Sequence, residues 1–329
     1  MKFNIIKKFL IVLWTVFYLI LLCGALGSYY GAGALVVFDY FSLIPQYVYI
    51  IFALLMAVFA LFLFGGIRKK IIATLLVATV IGYAMPLLDV VWSNEYPQNK
   101  TPIYKVFSWN TARWDASRQQ DFFRIMKENE SDFYLLQEVQ YRKNRWVYYD
   151  VLQEFKGYFA AHFGEYMLLS RFPLKCNPPS ELCGYLYCVA DTPNGSVGLF
   201  SVHLKRPFHV TDFRSFEDFK VRKWQFDEMM TAVHGSSDNV IIAGDFNSTA
   251  NYPFIRTLSH QFEKNNPRGR FVFPHTFPAD NPQFRIDYQF VSSEYTFCGY
   301  KELEYPELSD HIGIVGDICL LVAESVDGG

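Results

Sequence analysis

The sequence predicts an α+β protein in which β-sheets pack on one another with helices outside, behind three membrane-spanning helices. Three observations lead there. Apolar residues make up 51% of the 329, and the long uncharged runs lie before residue 92. After residue 103, many short strand-like stretches are interrupted by a few segregated helix-like ones, the pattern of packed sheets with external helices. The strands also end repeatedly on Asp, Asn, Glu or His.

The membrane segment comes first. No charged residue occurs between Phe9 and Phe38 or between Tyr40 and Ile67, and a third apolar run extends from Ile71 to Leu88. About 20 apolar residues span a bilayer core, which predicts helices near 9–29, 46–66 and 71–91, the third being the shortest. Lys2, Lys7 and Lys8 precede the first helix. Arg68, Lys69 and Lys70 separate the second from the third, and the connection between the first two has neither Lys nor Arg. Because basic loops stay cytoplasmic, the N-terminus and the Arg68–Lys70 turn are expected inside. Three crossings then leave everything beyond about residue 92 outside. A cleaved signal peptide over 1–30 is the alternative, but the apolar stretch is long for one and no A-x-A site follows it. Leu21-Leu22-Cys23 is a poor lipoprotein signal.

Residues 1–91 are therefore read as the anchor, 92–102 as a polar, proline-bearing linker and 103–329 as one further domain. In that domain Ile103–Trp109 reads as a strand and Arg118–Asn129 as a helix with Phe122, Phe123 and Met126 on one face. Asp132–Glu138 reads as a buried strand. Further strands are expected at Met167–Ser170, Leu186–Ala190, Ser196–His203, Asn239–Gly244, Arg285–Val291, Thr296–Leu303 and Ile312–Leu321. Phe213–Val233 is a long helix, and the charges of Asp212–Lys223 read as its solvated face.

Composition narrows the chemistry. Residues 1–96 hold six basic and three acidic residues, so the remainder is acidic on balance, which argues against a general nucleic-acid grip. The six cysteines form no C-x-x-C pair, and no zinc site is expected. Cys176 and Cys183 flank a Pro-Pro loop and could bridge in an oxidising compartment; the other reading is free, buried thiols.

The polar strand ends are Asn110 after Val-Phe-Ser-Trp, Glu138 after Tyr-Leu-Leu-Gln, His203 after Phe-Ser-Val, and Asp245 and Asn247 after Val-Ile-Ile-Ala-Gly. To these are added Asp287 in Arg-Ile-Asp-Tyr and Asp310-His311 after Leu-Ser. A strand that ends in an acid or amide projects it from a rigid edge. Singly, each is more simply a cap or turn residue; their number and order carry the reading. That order resembles the endonuclease/exonuclease/phosphatase superfamily of metal-dependent phosphoesterases. The matching pieces are Ser108-Trp109-Asn110, Leu136-Gln137-Glu138, Ser170-Arg171-Phe172-Pro173, Val202-His203-Leu204, Gly244-Asp245-Phe246-Asn247, Arg285-Ile286-Asp287-Tyr288 and Ser309-Asp310-His311. They cover about 103–322. The resemblance implies a DNase I-like four-layer α/β/β/α sandwich.

It also implies roles. Glu138 is the expected principal ligand of Mg²⁺ (Mn²⁺ or Ca²⁺ being alternatives), with Asn110 and Asp310 near it; hard cations favour such oxygen donors. Asp245 would orient the attacking water or accept its proton, with Asn247 bonding in the same region. His203 and His311 would donate to the charge that builds on phosphate oxygens, and Asp287 would hold the His311 tautomer. Lys205 and Arg206, just past His203, and Arg171 are the expected substrate-binding cations. Phe208, Phe213 and Phe216 read as core or as a substrate-facing lip.

These residues point to a reaction class rather than to one substrate. An outward-facing, acidic domain on a short tether favours a lipid-linked or other envelope phosphoester, held at high effective concentration. An extracytoplasmic nuclease is the alternative. A catalytically silent binding module on an anchor is a third reading, which the intact set of polar residues disfavours. No protein partner is expected.

Overall fold

The computed structural model describes residues 2–30, 41, 44, 46–84, 95–96, 100–112, 116–139, 147–177, 182–207, 215–236, 239–268 and 274–321. The chain falls into two compact units, one built around the N-terminal helices and one around the sheets.

In the first unit, helices run over Lys2–Tyr30, Gln46–Leu63 and Ile67–Ala84. Small side chains (Ala25, Ala53, Ala60, Ala73, Ala84) are buried where they meet, and such residues let helix backbones approach closely. Gly24 is required for that approach, since a Cβ there would lie 2.5 Å from a Tyr49 ring carbon. Trp14 donates its indole N–H to the Met56 carbonyl at 3.1 Å. The outward faces are apolar: Phe9, Phe17, Leu55 and Phe62 are exposed. Among the described residues, two helices are long and apolar enough to cross a membrane, Ile5–Gly27 and Gln46–Leu63. The expected third span differs. Its helix begins with Arg68, Lys69 and Lys70 in the first turn. The uncharged part, Ile71–Ala84, extends about 21 Å at 1.5 Å per residue, short of the ~30 Å core. Residues 85–91 of that expected span lie outside the described residues.

Among its described residues the second unit holds twelve strands: β1 (Tyr104–Asn110), β2 (Phe133–Gln137), β3 (Phe159–Phe163), β4 (Tyr166–Ser170), β5 (Leu174–Asn177), β6 (Tyr185–Thr192), β7 (Gly195–His203), β8 (Val240–Asp245), β9 (Glu263–Lys264), β10 (Asp287–Val291), β11 (Tyr295–Leu303) and β12 (Gly313–Leu320). They form two six-stranded sheets, ordered β11-β12-β1-β2-β4-β3 and β5-β6-β7-β8-β10-β9. Strands buried on both faces read as continuous apolar runs, which explains Tyr-Leu-Leu in β2 and Val-Ile-Ile-Ala in β8. Alternation divides each run. Val106, Leu135, Leu199, Ile241 and Val291 fill the core between the sheets. Phe107, Trp109, Tyr134 and Leu136 pack outward against Phe122 and Met126 of the helix Gln119–Glu128. Sheets and outer helices thus give the expected α+β, DNase I-like arrangement. The short helix Val147–Glu154, β3, β5 and β9 are additions to the sequence reading.

The cysteine expectation is corrected. Cys176 bonds to Cys188, which lies directly opposite it in the β5–β6 register, and Cys298 bonds to Cys319 across β11–β12. Cys183 is buried outside either disulfide, its thiol donating to the Tyr185 carbonyl at 3.1 Å. The linker is also more than a tether: Tyr96 hydrogen-bonds the Asn266 carbonyl and lies under Arg268, 5.1 Å from its ring centroid.

Candidate active site

Strand alternation and register assemble the site. Every second side chain of a strand shares a face, and the polar residue that ends β1, β7 and β8 and the one that begins β10 share the inward face. In β7 and β8, which are parallel, His203 stands opposite Asp245. In β10, antiparallel to β8, Asp287 stands opposite Asp245 from the other side. His203, Asp245 and Asp287 therefore form a row on one sheet. On the facing sheet Asn110 pairs with Gln137 at the same end.

Glu138 follows Gln137, so alternation would send its side chain away from the cleft. It takes φ +54° instead, and that left-handed turn returns the carboxylate inward. Asn247 (φ +47°) and Ala112 (φ +48°) are the other non-glycine residues with positive φ among the described ones, and both adjoin the same cluster. Such conformations cost roughly 1–3 kcal/mol each and persist where the surroundings enforce them. Gly244, before Asp245, is required on different grounds: a Cβ there would lie 2.0 Å from the Val202 carbonyl oxygen.

Asp245 is the centre. It is fully buried. Its Oδ1 accepts the Asn247 backbone N–H at 2.7 Å. Its Oδ2 accepts from Asn110 Nδ2 at 3.1 Å and Asn247 Nδ2 at 3.2 Å. The same Oδ2 faces His203 Nε2 at 3.6 Å and His311 Nε2 at 3.7 Å. His311 Nδ1 bonds Asp287 Oδ2 at 3.0 Å. The Asp310-His311 turn is held from several sides: Ser309 Oγ donates to the Asn110 carbonyl at 2.7 Å, the His311 N–H donates to Ser309 Oγ, and Trp109 Nε1 donates to the His311 carbonyl at 2.9 Å.

One member has no signal in the sequence. His203 Nδ1 bonds Glu165 Oε1 at 2.7 Å. Glu165 lies in the Gly164-Glu165 turn between β3 and β4 and belongs to none of the matching pieces. Two histidine–carboxylate pairs, Glu165–His203 and Asp287–His311, thus flank one aspartate. Burial alone would lower both imidazoles. Glu165, then Asp245 and Glu138, outweigh it and raise His203 to about 8. Asp287, then Asp245, raise His311 to about 9. Burial pushes the Asp245 carboxyl up, and His311 opposes that shift.

A divalent cation fits the donor chemistry at the mouth. Glu138 Oε1 takes a 3.4 Å bond from Asn110 Nδ2 and attracts the Arg206 guanidinium at 3.6 Å, a cation already drawn to that carboxylate. Asp310, half-exposed, has Oδ1 3.9 Å from His311 Nε2. Glu138 and Asp310 therefore offer hard oxygens. Asn110 differs from expectation here: its Oδ1 accepts the Ala112 N–H at 3.0 Å, so it presents a donor to the two carboxylates. A deeper set, Asp245, Asp287 and His311, brings ligand atoms within 4.8 Å of one another. In that set Asp287 and His311 already bond each other.

The expected substrate-binding cations divide. Arg206 reaches the cluster. The Lys205 ammonium turns to Asp218, 3.7 Å away. Arg171 is corrected: β4 runs antiparallel to β2 with Phe133 opposite Ser170, so Arg171 emerges at the far end of the sheet from Glu138. It pairs there with Glu130 and Asp132. Phe208, Phe213 and the Phe216 side chain lie outside the described residues.

Comparison with known proteins agrees with this geometry. The signature of the Endonuclease/Exonuclease/phosphatase family matches residues 107–311, more than half of the chain. Among solved structures, the chain is similar to an endonuclease/exonuclease/phosphatase from Bacteroides vulgatus (15% identity, TM-score 0.50, covering 66% of this chain and 98% of that one). It is also similar to one from Beutenbergia cavernae (18%, 0.47, 67% and 72%). A third is the 3′ phosphatase NExo from Neisseria, bound to product DNA hairpin (14%, 0.49, 65% and 98%). A search of curated proteins gives no match. With its signature running from β1 to the Asp310-His311 turn, the chain belongs to the endonuclease/exonuclease/phosphatase family, hydrolases that act on phosphoester bonds.

Proposed function

We propose that the protein is a membrane-anchored, Mg²⁺-dependent phosphoesterase that hydrolyses a lipid-linked or other envelope phosphoester outside the cytoplasm. The observation that carries the reaction is the buried Asp245 carboxylate, with His203 Nε2 at 3.6 Å and His311 Nε2 at 3.7 Å from one oxygen. A carboxylate so held accepts a proton from an attacking water, while two cationic imidazoles donate to phosphate oxygens. Asn110 and Asn247 fix the carboxylate. Glu165 and Asp287 fix the rings, and Arg206 binds the substrate phosphate. Glu138 and Asp310 would hold Mg²⁺, which when bound supplies charge neutralisation at the phosphoryl group.

The compartment rests on two independent supports. Two disulfides fit an oxidising environment rather than the cytosol. Lys2, Lys7, Lys8 and Arg68–Lys70 favour a cytoplasmic N-terminus and turn. An even number of crossings would return the sheets to the cytoplasm, so the disulfides support an odd number. The apolar outward faces of the first two helices support lipid around them.

The test is headgroup and phosphate release by the purified full-length protein. Phospholipid and sphingolipid vesicles and plasmid DNA are compared, with Mg²⁺, Mn²⁺, Ca²⁺ or chelator. Lipid turnover with Mg²⁺, lost in chelator and weakened in its metal response by Glu138→Gln, is expected. DNA cleavage without lipid turnover would replace the lipid reading with the nuclease one. Inactivity on every phosphoester with every metal would reject the reaction itself.

A further inference from the structure

The helix Ser215–His234 carries an arginine that its charge pattern does not explain. The surrounding run, Glu217 to Lys223, carries two acids and three bases and reads as a solvated face, yet Arg222 is 0% exposed. A buried guanidinium costs several kcal/mol unless it is fully bonded. Two carbonyls and a hydroxyl of the adjoining loops accept from it. Nη1 donates to the Lys205 carbonyl at 2.7 Å and the Asn247 carbonyl at 3.0 Å, and Nη2 donates to Ser248 Oγ at 2.6 Å. Gln225, three residues on and so on the same helix face, completes the arrangement. Its Oε1 accepts the Lys205 N–H at 2.8 Å, and its Nε2 donates to the Leu182 carbonyl at 2.8 Å.

Lys205 is thus gripped at both its N–H and its carbonyl, between His203 and Arg206. Asn247 is gripped at its carbonyl while in a left-handed conformation. The two loops that follow β7 and β8 carry Arg206 on one side and Asn247 on the other, and Asn247 Nδ2 also donates to the Leu204 carbonyl at 2.9 Å. Beyond His203 and Asp245 the strand ladder gives way to two backbone bonds, from the Leu204 N–H to the Asp245 carbonyl at 3.1 Å and from the Phe246 N–H to the Ile286 carbonyl at 2.9 Å, and past these the loops depend on side chains. The guanidinium is suited to the task because its rigid planar fork bonds several acceptors at once, which an ammonium does not.

We infer that Arg222, with Gln225, is a positioning residue that sets Arg206 and Asn247 relative to Asp245. This rests on the phosphoesterase reading. Without the clamp, the phosphate-binding cation and the reacting groups lose their alignment, and misplacement of about 1 Å costs on the order of 100-fold in rate.

The test uses the full-length protein with Arg222→Lys and Gln225→Leu. Hydrogen exchange by mass spectrometry reads the clamp without reference to activity. Faster exchange in peptides covering 203–207 and 245–249, with the sheets unchanged, is expected in both variants. Unchanged exchange in those peptides in both variants overturns the inference, even if the protein hydrolyses no phosphoester. On bis(p-nitrophenyl) phosphate, Arg222→Lys should lower kcat by about 10- to 100-fold and, because Arg206 is displaced, raise KM by no more than the roughly 10-fold expected of Arg206→Ala. Combination with Arg206→Ala should be non-additive, because the clamp acts through that residue. Strict additivity, or a loss matched by a general fall in thermal stability, would mean that Arg222 supports the fold alone. Should Arg222→Lys fail to fold, Gln225→Leu carries both measurements. Wild-type inactivity on every phosphoester would reject the functional reading and leave the exchange result to decide the clamp.

Discussion

The two ends of the sheet sandwich both gather charged residues, and they differ in what those charges do. At one end Asp245, Asp287 and His311 have side chains at most 7% exposed. Asp245 is approached by five donor groups from four residues, and the nearby backbone bends into left-handed conformations at three non-glycine residues. At the other end an open groove is lined by Tyr104, Lys105, Asp132, Arg171 and Asp317. There the side chains of Arg171 and Glu130 are 42% and 67% exposed, and Lys105 meets Asp317 at only 3.9 Å. The second set is paired acid to base, screened by water, and each pair stabilises by about 0–1 kcal/mol. The first set, with Glu138 and His203, places three acids and two imidazoles where water screens them little. Clustered charge alone therefore does not mark a site; convergence, burial and enforced backbone geometry together do.

The largest expected effect follows at the centre of the buried end. Asp245→Asn should lower kcat about 100-fold or more, since both the proton acceptor and the charge that the imidazoles face are lost. KM should change little. Near-normal turnover would place the proton acceptor elsewhere.

A smaller effect is expected one bond away. Glu165→Gln keeps an acceptor for His203 Nδ1 but removes its charge. A fall in kcat of about 10-fold, or ~1.4 kcal/mol, is expected. The His203 imidazole should titrate below its value of about 8, which NMR of the ring protons measures. The sign for stability follows. A histidine raised in the folded state stabilises below its unfolded value, and that contribution disappears as pH rises through about 8. The variant should therefore be less stable than the parent at pH 6 and closer to it at pH 9. An unshifted titration would show that Glu165 does not govern this ring.

The same contrast explains what was legible in the sequence. Strand residues announce themselves by β-branched and aromatic runs, and the residue that ends a run lies at a sheet edge. Which edge depends on strand direction. β1 with β2, and β7 with β8, are parallel pairs, so Asn110, Glu138, His203 and Asp245 come to one end. β4 is antiparallel to β2, so Arg171, which also follows a strand, comes to the other. No local pattern reports that reversal. Glu165 was illegible because a turn glutamate is ordinarily solvated, and Arg222 because it sits in a run of charged residues that reads as a solvated helix face. The bridge from Cys176 to Cys188 rather than Cys183 depends on the β5–β6 register, which sequence spacing does not fix.

The smallest expected effect is at the open end, and it tests the comparison most directly. Arg171 makes exposed ion pairs with Glu130 and Asp132 and lies over the Tyr158 ring, 5.4 Å from its centroid. Arg171→Ala removes a stacking contact that contributes about 0.5–1 kcal/mol at an exposed site, together with pairs that contribute little. A domain of this size loses roughly 2–4 °C in Tm per kcal/mol, so a fall of a few degrees is expected. Both kcat and KM should stay within about 2-fold of the parent. Arg206→Ala, measured beside it, should raise KM by about 10-fold with a smaller change in Tm, because Arg206 is half-exposed and faces Glu138 rather than a structural partner. Two arginines of similar exposure would then separate cleanly, one acting on stability and the other on substrate. If Arg171→Ala instead raised KM as Arg206→Ala does, substrate would have to reach both ends of the sandwich. Screened, paired charge would then no longer distinguish scaffold from site.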